Sequence, residues 1–586
     1  QQSGHWLESQ GRLSQPVYRA AHDTHYRPIE WSAAFDIVAQ RIAALDDPNE
    51  AVFYTSGRAS NEAAFLYQLM ARSLGTNNLP DCSNMCHESS GVALTQTIGV
   101  GKGTVSLEDI RDHADLIVIM GQNPGTNHPR MLTSLEALKK RGGRIVAINP
   151  LPEAGLMRFK NPQRPSGVVG GGTALSDVYL PVRVNGDLAL LLEVNRRLVQ
   201  RGAVDHSFIE AFTDGFQAAA QHWSSVDPVA VSGLTGLTSE QIEQFVDEVA
   251  GADRVIVCWA MGLTQHRNSV ATIREVVNLL LLGGNIGRPG AGACPVRGHS
   301  NVQGDRTMGI YEKPTEAFLT RLDEAMGITS SRAPGLDVVD TITAMQRGRV
   351  GVFMTLGGNF ASATPDTEAT EIALGQVGLT VHVSTKLNRS HAVPGVESLI
   401  LPSLGRSDTD VQAGARQFVT VEDSMSVVHR SQGSLRPPGE DVLSEPVIVA
   451  EIAHRLLAGN PIDWLGAAAD YDCIRNHIES AIDGFDGFNA RVREPNGFVL
   501  ANPPRDVREF PTASGRARFT INQMDGVAVP EGYLLLQTMR SHDQFNTTVY
   551  GLDDRYRGVQ GTRDVVFVHP DDLAAQNLRD GQRLDV

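Results

Sequence analysis

The fold is decided by a short apolar run that ends in glycine and a polar loop, Leu116-Ile117-Val118-Ile119-Met120-Gly121-Gln122-Asn123-Pro124-Gly125-Thr126-Asn127-His128-Pro129. Other runs rich in Val and Ile end in a similar way, and they are Ile145-Val146-Ala147-Ile148 before Asn149, Val255-Ile256-Val257-Cys258-Trp259 before Ala260, Val352-Phe353-Met354 before Thr355, and Val381-His382-Val383 before Ser384. Such runs are typical of buried parallel strands.

Helical patterns lie between these predicted strands. They cover Asn61 to Leu74, Arg130 to Lys140, Leu188 to Arg201 and Val270 to Leu282. Strands that alternate with helices indicate an open, doubly wound sheet. Ligands of such sheets bind at the carboxyl ends of the strands. The predicted fold class is therefore α/β, with doubly wound parallel sheets.

The loop that follows Met120 has a second copy later in the chain. Gly121 to Pro129 and Gly357 to Pro365 both fit the pattern Gly-x-Asn-x5-Pro, and both directly follow a strand. The repeat predicts two nucleotide-binding halves, in which glycine lets the backbone approach a phosphate closely. The candidate contacts are Gly121, Asn123, His128 and Asn149 in one half, and Gly357, Asn359 and Ser384 in the other.

Two ordinary strand-to-loop turns would also explain the repeat, without any nucleotide. Neither copy is the Gly-x-Gly-x-x-Gly fingerprint, so NAD binding is not indicated.

Composition argues against several partners. The chain of 586 residues has a formal net charge of -16, whereas nucleic-acid binding needs clustered Lys and Arg. The sequence has no apolar run of ~18 residues, so no membrane span is expected. Its five cysteines are few for the length and odd in number. This favours a reducing, cytoplasmic location over a disulfide framework.

A polar loop contains the first candidate for chemistry. It reads Asp81-Cys82-Ser83-Asn84-Met85-Cys86-His87-Glu88-Ser89-Ser90 and places Cys86 beside His87. A thiolate binds soft or high-valent metals, and imidazole titrates near neutral pH. Taken alone, the pair also fits two structural core residues. A zinc site is not favoured, because no second closely spaced Cys pair occurs.

Two more polar segments contain candidate binding residues. The glycine-rich stretch Gly283 to Gly304 includes Arg297, whose planar guanidinium can clamp a carboxylate or another oxyanion. An arginine paired with a surface acid would fit this stretch equally well. The second segment is Arg540-Ser541-His542-Asp543-Gln544-Phe545-Asn546-Thr547, which follows a predicted strand. We expect it to face a ligand, although a solvated turn has the same composition.

The C-terminal part of the chain has a different character. Residues 451–530 are rich in proline and indicate helices followed by an irregular connector. From Tyr533 onward the pattern predicts strands at Leu534 to Thr538 and Val565 to Val568, and a short helix at Asp571 to Ala574. A separate, mostly β domain is therefore expected.

Three segments resemble the molybdopterin oxidoreductase family that binds two molybdopterin-guanine dinucleotides. They are Gly75-Thr76-Asn77-Asn78 leading to Cys86-His87, Trp259-Ala260-Met261-Gly262-Leu263-Thr264-Gln265, and Pro295-Val296-Arg297-Gly298 with Asn301-Val302-Gln303-Gly304. The resemblance covers nearly the whole chain. Within the family, the chain is most similar to formate dehydrogenase alpha subunits of the FdhF/YdeP type.

This resemblance implies roles for the candidate residues. Cys86 would ligate molybdenum or tungsten, His87 would accept or relay a proton, and Arg297 would bind the formate carboxylate. The cofactor-binding set would be Gly121, Asn123, His128, Asn149, Gly262, Thr264, Gly357, Asn359, Ser384, Arg540, His542, Gln544 and Asn546. The sequence departs from the family pattern at Glu88-Ser89-Ser90 and His299-Ser300-Asn301. An acidic side chain at Glu88 that faced the metal would oppose an anionic substrate.

The resemblance also implies a domain organisation. Residues 1–48 would be the remainder of an iron–sulfur domain, and 451–530 a helical segment with its connector. Residues 49–81 and 299–450 would bind one pterin dinucleotide, 82–298 would bind the other, and 531–586 would form part of a β-barrel domain. The family has a [4Fe-4S] cluster, but no Cys precedes Cys82 to ligate it. Electrons would pass through a pterin to such a cluster and on to a partner subunit.

The predicted function is the oxidation of formate, a small anion, to carbon dioxide. Two other functions remain open. One is the reduction of nitrate or another oxide by oxygen-atom transfer. The other is a non-catalytic role like that of the large iron–sulfur subunit of respiratory complex I. Retention of Cys86-His87 and Arg297 favours an enzyme.

Overall fold

The fold is described from a computed structural model, which covers residues 2–585 except for the side chains of residues 166 and 168. Two sheets dominate it. The first sheet contains, in spatial order, Arg27–Pro28, Val17–Arg19, Glu397–Pro402, Leu379–Ser384, Val352–Leu356 and Ala51–Thr55. The second sheet contains Gly292–Pro295, Val255–Trp259, Leu116–Met120, Arg144–Ile148 and Val178–Leu180. All neighbours in the second sheet are parallel, whereas the two N-terminal strands of the first sheet pair antiparallel.

The sequence repeat is two copies of one structural unit. Each copy is a strand, a four-residue helix, a longer helix and a parallel neighbouring strand. In the first copy these are Leu116–Met120, Pro124–Asn127, Met131–Lys140 and Arg144–Ile148; in the second they are Val352–Leu356, Phe360–Ala363, Thr367–Leu374 and Leu379–Ser384. The first strand of each copy also pairs on its other side with a strand from elsewhere in the chain, Val255–Trp259 or Ala51–Thr55. The order of the strands therefore reverses at the first strand of each copy. Doubly wound sheets bind ligands at such a reversal.

The helices cover the faces of the sheets because one side of each is apolar. Helix Asn61–Leu74 begins where the Ser60 hydroxyl accepts the N–H of Ala63 at 3.1 Å and ends at Gly75, whose φ of 108° suits only glycine well. The other long helices are Trp31–Ala43, Glu88–Ile98, Asp187–Gln200, Phe216–Ser224, Pro228–Thr235, Ser239–Ala250, Ser269–Leu282, Glu316–Met326, Val338–Gln346, Glu445–Leu456 and Tyr471–Ala481. Between residues 2 and 585, no helix combines the length and apolar composition that a membrane crossing requires.

Each sheet has a hydrophobic cluster on both of its faces, and one of the two is the larger core. The core of the first sheet includes Trp31–Ala43, Asn61–Leu74, Glu445–Leu456 and Tyr471–Ala481. The core of the second includes Glu88–Ile98, Asp187–Gln200, Ser239–Ala250 and Ser269–Leu282, and reaches Phe519 in the connector. The predicted strands and helices of both sheets are confirmed. The domain boundaries remain predictions.

The two C-terminal strand predictions are wrong. Residues 534–538 and 565–568 lie outside any strand, and Leu534, Leu536 and Phe567 are exposed. A strand persists only when its N–H and C=O groups pair with a neighbour, and within residues 2–585 no other strand lies beside these two. A small hairpin, Gln544–Phe545 with Thr548–Val549, forms between them. The short helix predicted at Asp571 to Ala574 is confirmed as Pro570–Ala575. The β-barrel remains a prediction.

Candidate active site

Loops from the carboxyl ends of both sheets meet through hydrogen bonds. Gly57 follows the strand Ala51–Thr55 of the first sheet, and Asn301 lies in the loop after the strand Gly292–Pro295 of the second. The N–H of Asn301 donates to the carbonyl of Gly57 at 2.8 Å. Arg297 belongs to the same loop as Asn301, so the predicted site lies where the two sheets meet.

The segment that carries Cys86 is tied to the first sheet. The N–H of Thr55 donates to the carbonyl of Pro80 at 3.1 Å, which places residues 77–81 alongside the strand. A 3-10 helix, Cys82–Met85, then ends at Cys86, and the helix Glu88–Ile98 begins directly after His87. Cys86 and His87 are thus fixed between two helical elements, and both are buried.

Cationic and N–H groups surround the Cys86 thiol. Burial raises the pKa of the thiol to about 11, while Arg297, the N–H of Gly298 and Arg540 act to lower it. These groups come from the glycine-rich stretch and from the C-terminal loop, so three segments predicted from the sequence converge here. The same groups would stabilise a thiolate that ligates a metal.

His87 is oriented by Ser90 and Trp259, two residues to which the sequence alone assigned no role. Its Nδ1 lies 3.0 Å from the hydroxyl of Ser90, and that hydroxyl accepts the indole N–H of Trp259 at 3.0 Å. The hydroxyl proton of Ser90 is therefore free to go to Nδ1. Burial, followed by the charge of Arg297, lowers the pKa of His87 to about 3, so the imidazole is neutral.

The guanidinium of Arg297 is buried without an acidic partner. Its Nη2 donates to the carbonyl of Gly101 at 3.1 Å, and its backbone N–H donates to the hydroxyl of Ser424 at 3.1 Å. Its Nε has no hydrogen-bond partner within residues 2–585, and no carboxylate of that range lies within ion-pair distance. Burial lowers the pKa of this guanidinium. A buried cation of this kind favours an anionic ligand.

Glu88 is paired with an arginine and does not stand free beside Cys86. Arg306 donates to the Glu88 carboxylate at 2.6 Å and to the Asp81 carboxylate at 2.7 Å. The guanidinium stacks 4.5 Å from the ring centroid of Tyr311. The expected conflict between Glu88 and an anionic substrate is therefore reduced, because one cation, shared with Asp81, offsets part of the charge of Glu88.

Two of the predicted cofactor glycines contact each other directly. The N–H of Gly262 donates to the carbonyl of Gly121 at 2.9 Å, and a Cβ on Gly121 would lie 2.7 Å from the carbonyl carbon of Gly262. These glycines are therefore needed for the crossing of two chain segments, whether or not a phosphate lies nearby. The hydroxyl of Thr264, which follows shortly after Gly262 in the sequence, is buried. It has no hydrogen-bond partner within the described part of the chain.

The remaining candidates of the second sheet divide into two groups. His128 lies beside the active-site loop, with its Nε2 3.2 Å from the carbonyl of Arg297. Asn123 caps the helix Pro124–Asn127 by accepting the N–H of Thr126 at 3.3 Å, and Asn149 donates to the carbonyl of Leu151 at 2.8 Å. Asn123 and Asn149 shape the ends of their strands, and their side chains form hydrogen bonds within their own loops.

The candidates of the first sheet have the corresponding positions. Gly357 has a φ of 71° and donates its N–H to the carbonyl of Val383 at 2.9 Å. The Asn359 carbonyl oxygen accepts the hydroxyl of Ser390 at 3.3 Å, and Ser384 donates to the carbonyl of Lys386 at 2.9 Å. They lie at the carboxyl ends of strands, but these bonds do not reach the Cys86 loop.

The C-terminal loop lies against the segment that contains Arg297. A Cβ on Gly298 would lie 3.6 Å from Oδ1 of Asn546, and the ring of Phe545 meets the ring of His299 edge-on at 6.3 Å. Within the loop, Arg540 and Gln544 both donate to the carbonyl of Asn546, at 2.7 and 2.9 Å. His542 donates its backbone N–H to Asp554 at 3.2 Å.

Several residues at or beside the candidate site have buried polar atoms without a hydrogen-bond partner in the described part of the chain. Within residues 2–585 the atoms without a hydrogen-bond partner include His87 Nε2, Gln122 Oε1, Thr264 Oγ1, Arg297 Nε, His542 Nδ1 and Asn546 Nδ2. Buried polar groups of native proteins are normally satisfied, and a polar ligand at this site would satisfy these atoms. The amides and phosphates of a pterin nucleotide have the chemistry to satisfy them, and a thiol is available for its metal. The residues present therefore fit such a cofactor.

Several neighbours of the site had no local signal in the sequence. Ser424 and Gly101 come from distant segments, and only folding brings them to Arg297. Cys82 accepts the N–H of Gly57 at 3.1 Å and lies 3.8 Å from Nδ1 of His299. Trp259 belongs to one of the three segments that resemble the family, and its hydrogen bond to Ser90 gives the indole N–H a role.

Comparison with known proteins identifies the class to which this fold and site belong. Residues 12–392 match the family described as Molybdopterin oxidoreductase. The chain is therefore a member of the molybdopterin oxidoreductase family, and it is an enzyme of the oxidoreductase class. Membership implies a cofactor in which a pterin holds molybdenum or tungsten.

Particular relatives refine this picture. An uncharacterized oxidoreductase of Mycobacterium tuberculosis is 55% identical over 99% of this chain and 76% of its own length. Protein YdeP of Escherichia coli is 47% identical over 99% of this chain and 78% of its own. A putative formate dehydrogenase of Bacillus subtilis, YrhE, is 25% identical over 96% and 56%. The acetylene hydratase of Pelobacter acetylenicus has a similar fold, with a TM-score of 0.66 and 17% identity over 87% of this chain and 70% of the other.

Proposed function

We propose that the enzyme oxidises formate to carbon dioxide. The observation that carries this proposal is the buried guanidinium of Arg297, which has no carboxylate partner within residues 2–585 and lies close enough to Cys86 to lower the pKa of its thiol. Formate would supply the missing anion. A carboxylate accepts two parallel hydrogen bonds from one guanidinium, and Nε of Arg297 is available for one of them.

The reaction releases one proton and two electrons per formate. Cys86 would ligate the metal of a bis(molybdopterin guanine dinucleotide) cofactor, and that cofactor, when bound, supplies the two-electron acceptor. Arg297 would orient formate, and His87 would accept or relay the proton. A [4Fe-4S] cluster and a partner subunit would then take the electrons, in the cytoplasm. These finer assignments belong to the proposal.

Two further observations support formate over a neutral substrate. Arg306 is shared between the carboxylates of Glu88 and Asp81 and offsets part of their charge, which lessens an obstacle to an anion near Cys86. One relative carries the name putative formate dehydrogenase, although its identity of 25% is low. Oxygen-atom transfer to or from an oxide substrate is the alternative for the same site.

Substitution of Arg297 tests the proposal. Lysine keeps the charge but cannot form two parallel hydrogen bonds. Loss of such a contact in a site that excludes water costs about 2–4 kcal/mol of transition-state stabilisation. We therefore expect Arg297→Lys to lower kcat/KM for formate about 30- to 1,000-fold, measured by formate-dependent dye reduction. The metal content should remain that of the wild type.

Arg254→Lys is the matched control. Arg254 forms a partly exposed ion pair with Asp115 at the opposite end of the second sheet, so its replacement should leave kcat/KM within about twofold. If wild-type enzyme with its metal ignored formate and reduced an oxide instead, the oxygen-atom-transfer function would replace this proposal.

A further inference from the structure

A cleft lies beside the end of Glu88–Ile98, the helix that follows the Cys86 loop. Its volume is about 860 Å³. Its walls are the end of Glu88–Ile98, the start of Phe216–Ser224, the middle of Ser269–Leu282, and residues 511–521 of the connector. None of the candidate cofactor residues is among the residues that line it.

Two guanidinium groups line this cleft without an acidic partner. Arg274 donates through Nε to the side-chain carbonyl of Gln96 at 3.0 Å. Arg518 is exposed, and it makes no side-chain hydrogen bond or ion pair within residues 2–585. Burial and the nearby charge of Arg518 lower the pKa of Arg274. Two like charges face one concave space, and an anion between them would relieve the repulsion.

The acidic residue of the wall is already engaged. Asp214 lies next to Arg518 in a short parallel ladder, but its carboxylate pairs with Arg516 at 3.0 Å. The chain as a whole carries a net charge of -16. The concave patch therefore has two arginines and one compensated acid, although the chain as a whole is acidic.

The helix that begins at the wall adds a further positive contribution. Its N-cap is Gly215, with a φ of 84° and no capping side chain. A Cβ there would lie 2.9 Å from the carbonyl oxygen of Phe519, so a capping Ser or Asp does not fit. The first N–H groups of Phe216–Ser224 consequently lack a side-chain acceptor, and the helix dipole favours an anion at this end.

We propose that this cleft binds a small organic molecule that carries a phosphate group. Guanidinium groups match phosphate oxygens in charge and geometry, and the volume lies within the roughly 300–1,000 Å³ of small-molecule sites. Pro511, Ala513 and Ile521 offer apolar surface for the organic part. The site is separate from the pterin site, and the proposal does not depend on the substrate of the enzyme.

Binding of inorganic pyrophosphate to the cofactor-loaded enzyme tests this proposal. The loaded enzyme is required because its own nucleotide sites are then filled. Calorimetry at low ionic strength should detect one site. Because a hydrogen bond to a charged group contributes about 1.5–3 kcal/mol, Arg274→Gln and Arg518→Gln should each weaken binding roughly tenfold or more. Arg267→Gln removes the same charge outside the cleft, from a residue paired with Asp525, and should leave the affinity unchanged.

Three results would overturn the proposal. They are no binding of pyrophosphate, equal binding by wild type and the Arg274→Gln/Arg518→Gln double variant, and binding of citrate with no binding of pyrophosphate. A thermal unfolding curve of the double variant shows whether it is folded. We expect its Tm to equal or exceed that of the wild type without ligand, because the substitutions remove like-charge repulsion.

Discussion

At the scale of single residues, Cys82 and Cys86 share one loop but have different surroundings. The Cys82 sulfur already accepts the N–H of Gly57 at 3.1 Å. The charges of Arg297 and Arg540, in contrast, act to lower the pKa of the Cys86 thiol. We expect Cys86→Ala to abolish turnover and to lower the molybdenum or tungsten content, because the metal loses its thiolate ligand. Elemental analysis together with dye reduction measures both quantities.

Cys82→Ala provides the comparison for that experiment. This substitution removes the other buried thiol of the same loop. The variant should retain the metal and measurable turnover. Loss of the metal in Cys82→Ala, with its retention in Cys86→Ala, would contradict the assignment of the ligand.

At the scale of elements, the contact between Gly121 and Gly262 joins two strand ends of the second sheet. A Cβ on Gly262 would lie 2.5 Å from the Cα of Gly121, and neither backbone can yield without disturbing its strand. We expect Gly262→Ala to lower the free energy of unfolding by about 1–3 kcal/mol, as overpacking does. A lower Tm in thermal unfolding would measure this.

Gly233 offers a matched substitution. It lies inside the helix Pro228–Thr235, and no atom would lie within 4 Å of an added Cβ. Alanine is the better helix former by about 0.5–1 kcal/mol, so Gly233→Ala should raise the Tm slightly. If Gly262→Ala and Gly233→Ala changed the Tm equally, the contact between Gly121 and Gly262 would tolerate a Cβ, and the prediction would be wrong.

At the scale of the whole molecule, buried carboxyl groups make stability depend on pH. Burial raises the pKa of Asp187 from 3.8 to about 7, and the side chain has no ion pair within residues 2–585. The folded protein therefore holds a proton that the unfolded chain releases above pH ~4. This contribution to stability is complete below pH ~4, declines as the pH rises, and is lost once the pH exceeds about 7.

Asp187→Asn removes this dependence because an amide does not ionise. The Tm of the variant minus that of the wild type should therefore increase between pH 5 and pH 8. The corresponding change in the free energy of unfolding is roughly 2–3 kcal/mol, since each pKa unit is worth 1.36 kcal/mol. A Tm difference that stayed constant over this pH range would contradict the prediction.

The sequence alone predicted five strands of the two sheets and the loop that carries Cys86. Val- and Ile-rich runs such as Leu116–Met120, and helical periodicity over Asn61–Leu74, are local properties that favour one structure wherever the segment lies. The repeat at Gly121 and Gly357 predicted the duplicated unit for the same reason. Adjacent Cys86 and His87 needed no knowledge of distant contacts.

Only the tertiary structure decided which distant groups surround these residues. Within residues 2–585 Arg297 has no ion pair, and only folding decides this. The pairing of Glu88 with Arg306 and the cleft with Arg274 and Arg518 likewise join segments far apart in the chain. The same holds for residues 534–538, whose pattern predicts a strand that finds no partner within residues 2–585. Periodicity reports what a segment prefers, whereas hydrogen bonds, ion pairs and burial depend on what folding places beside it.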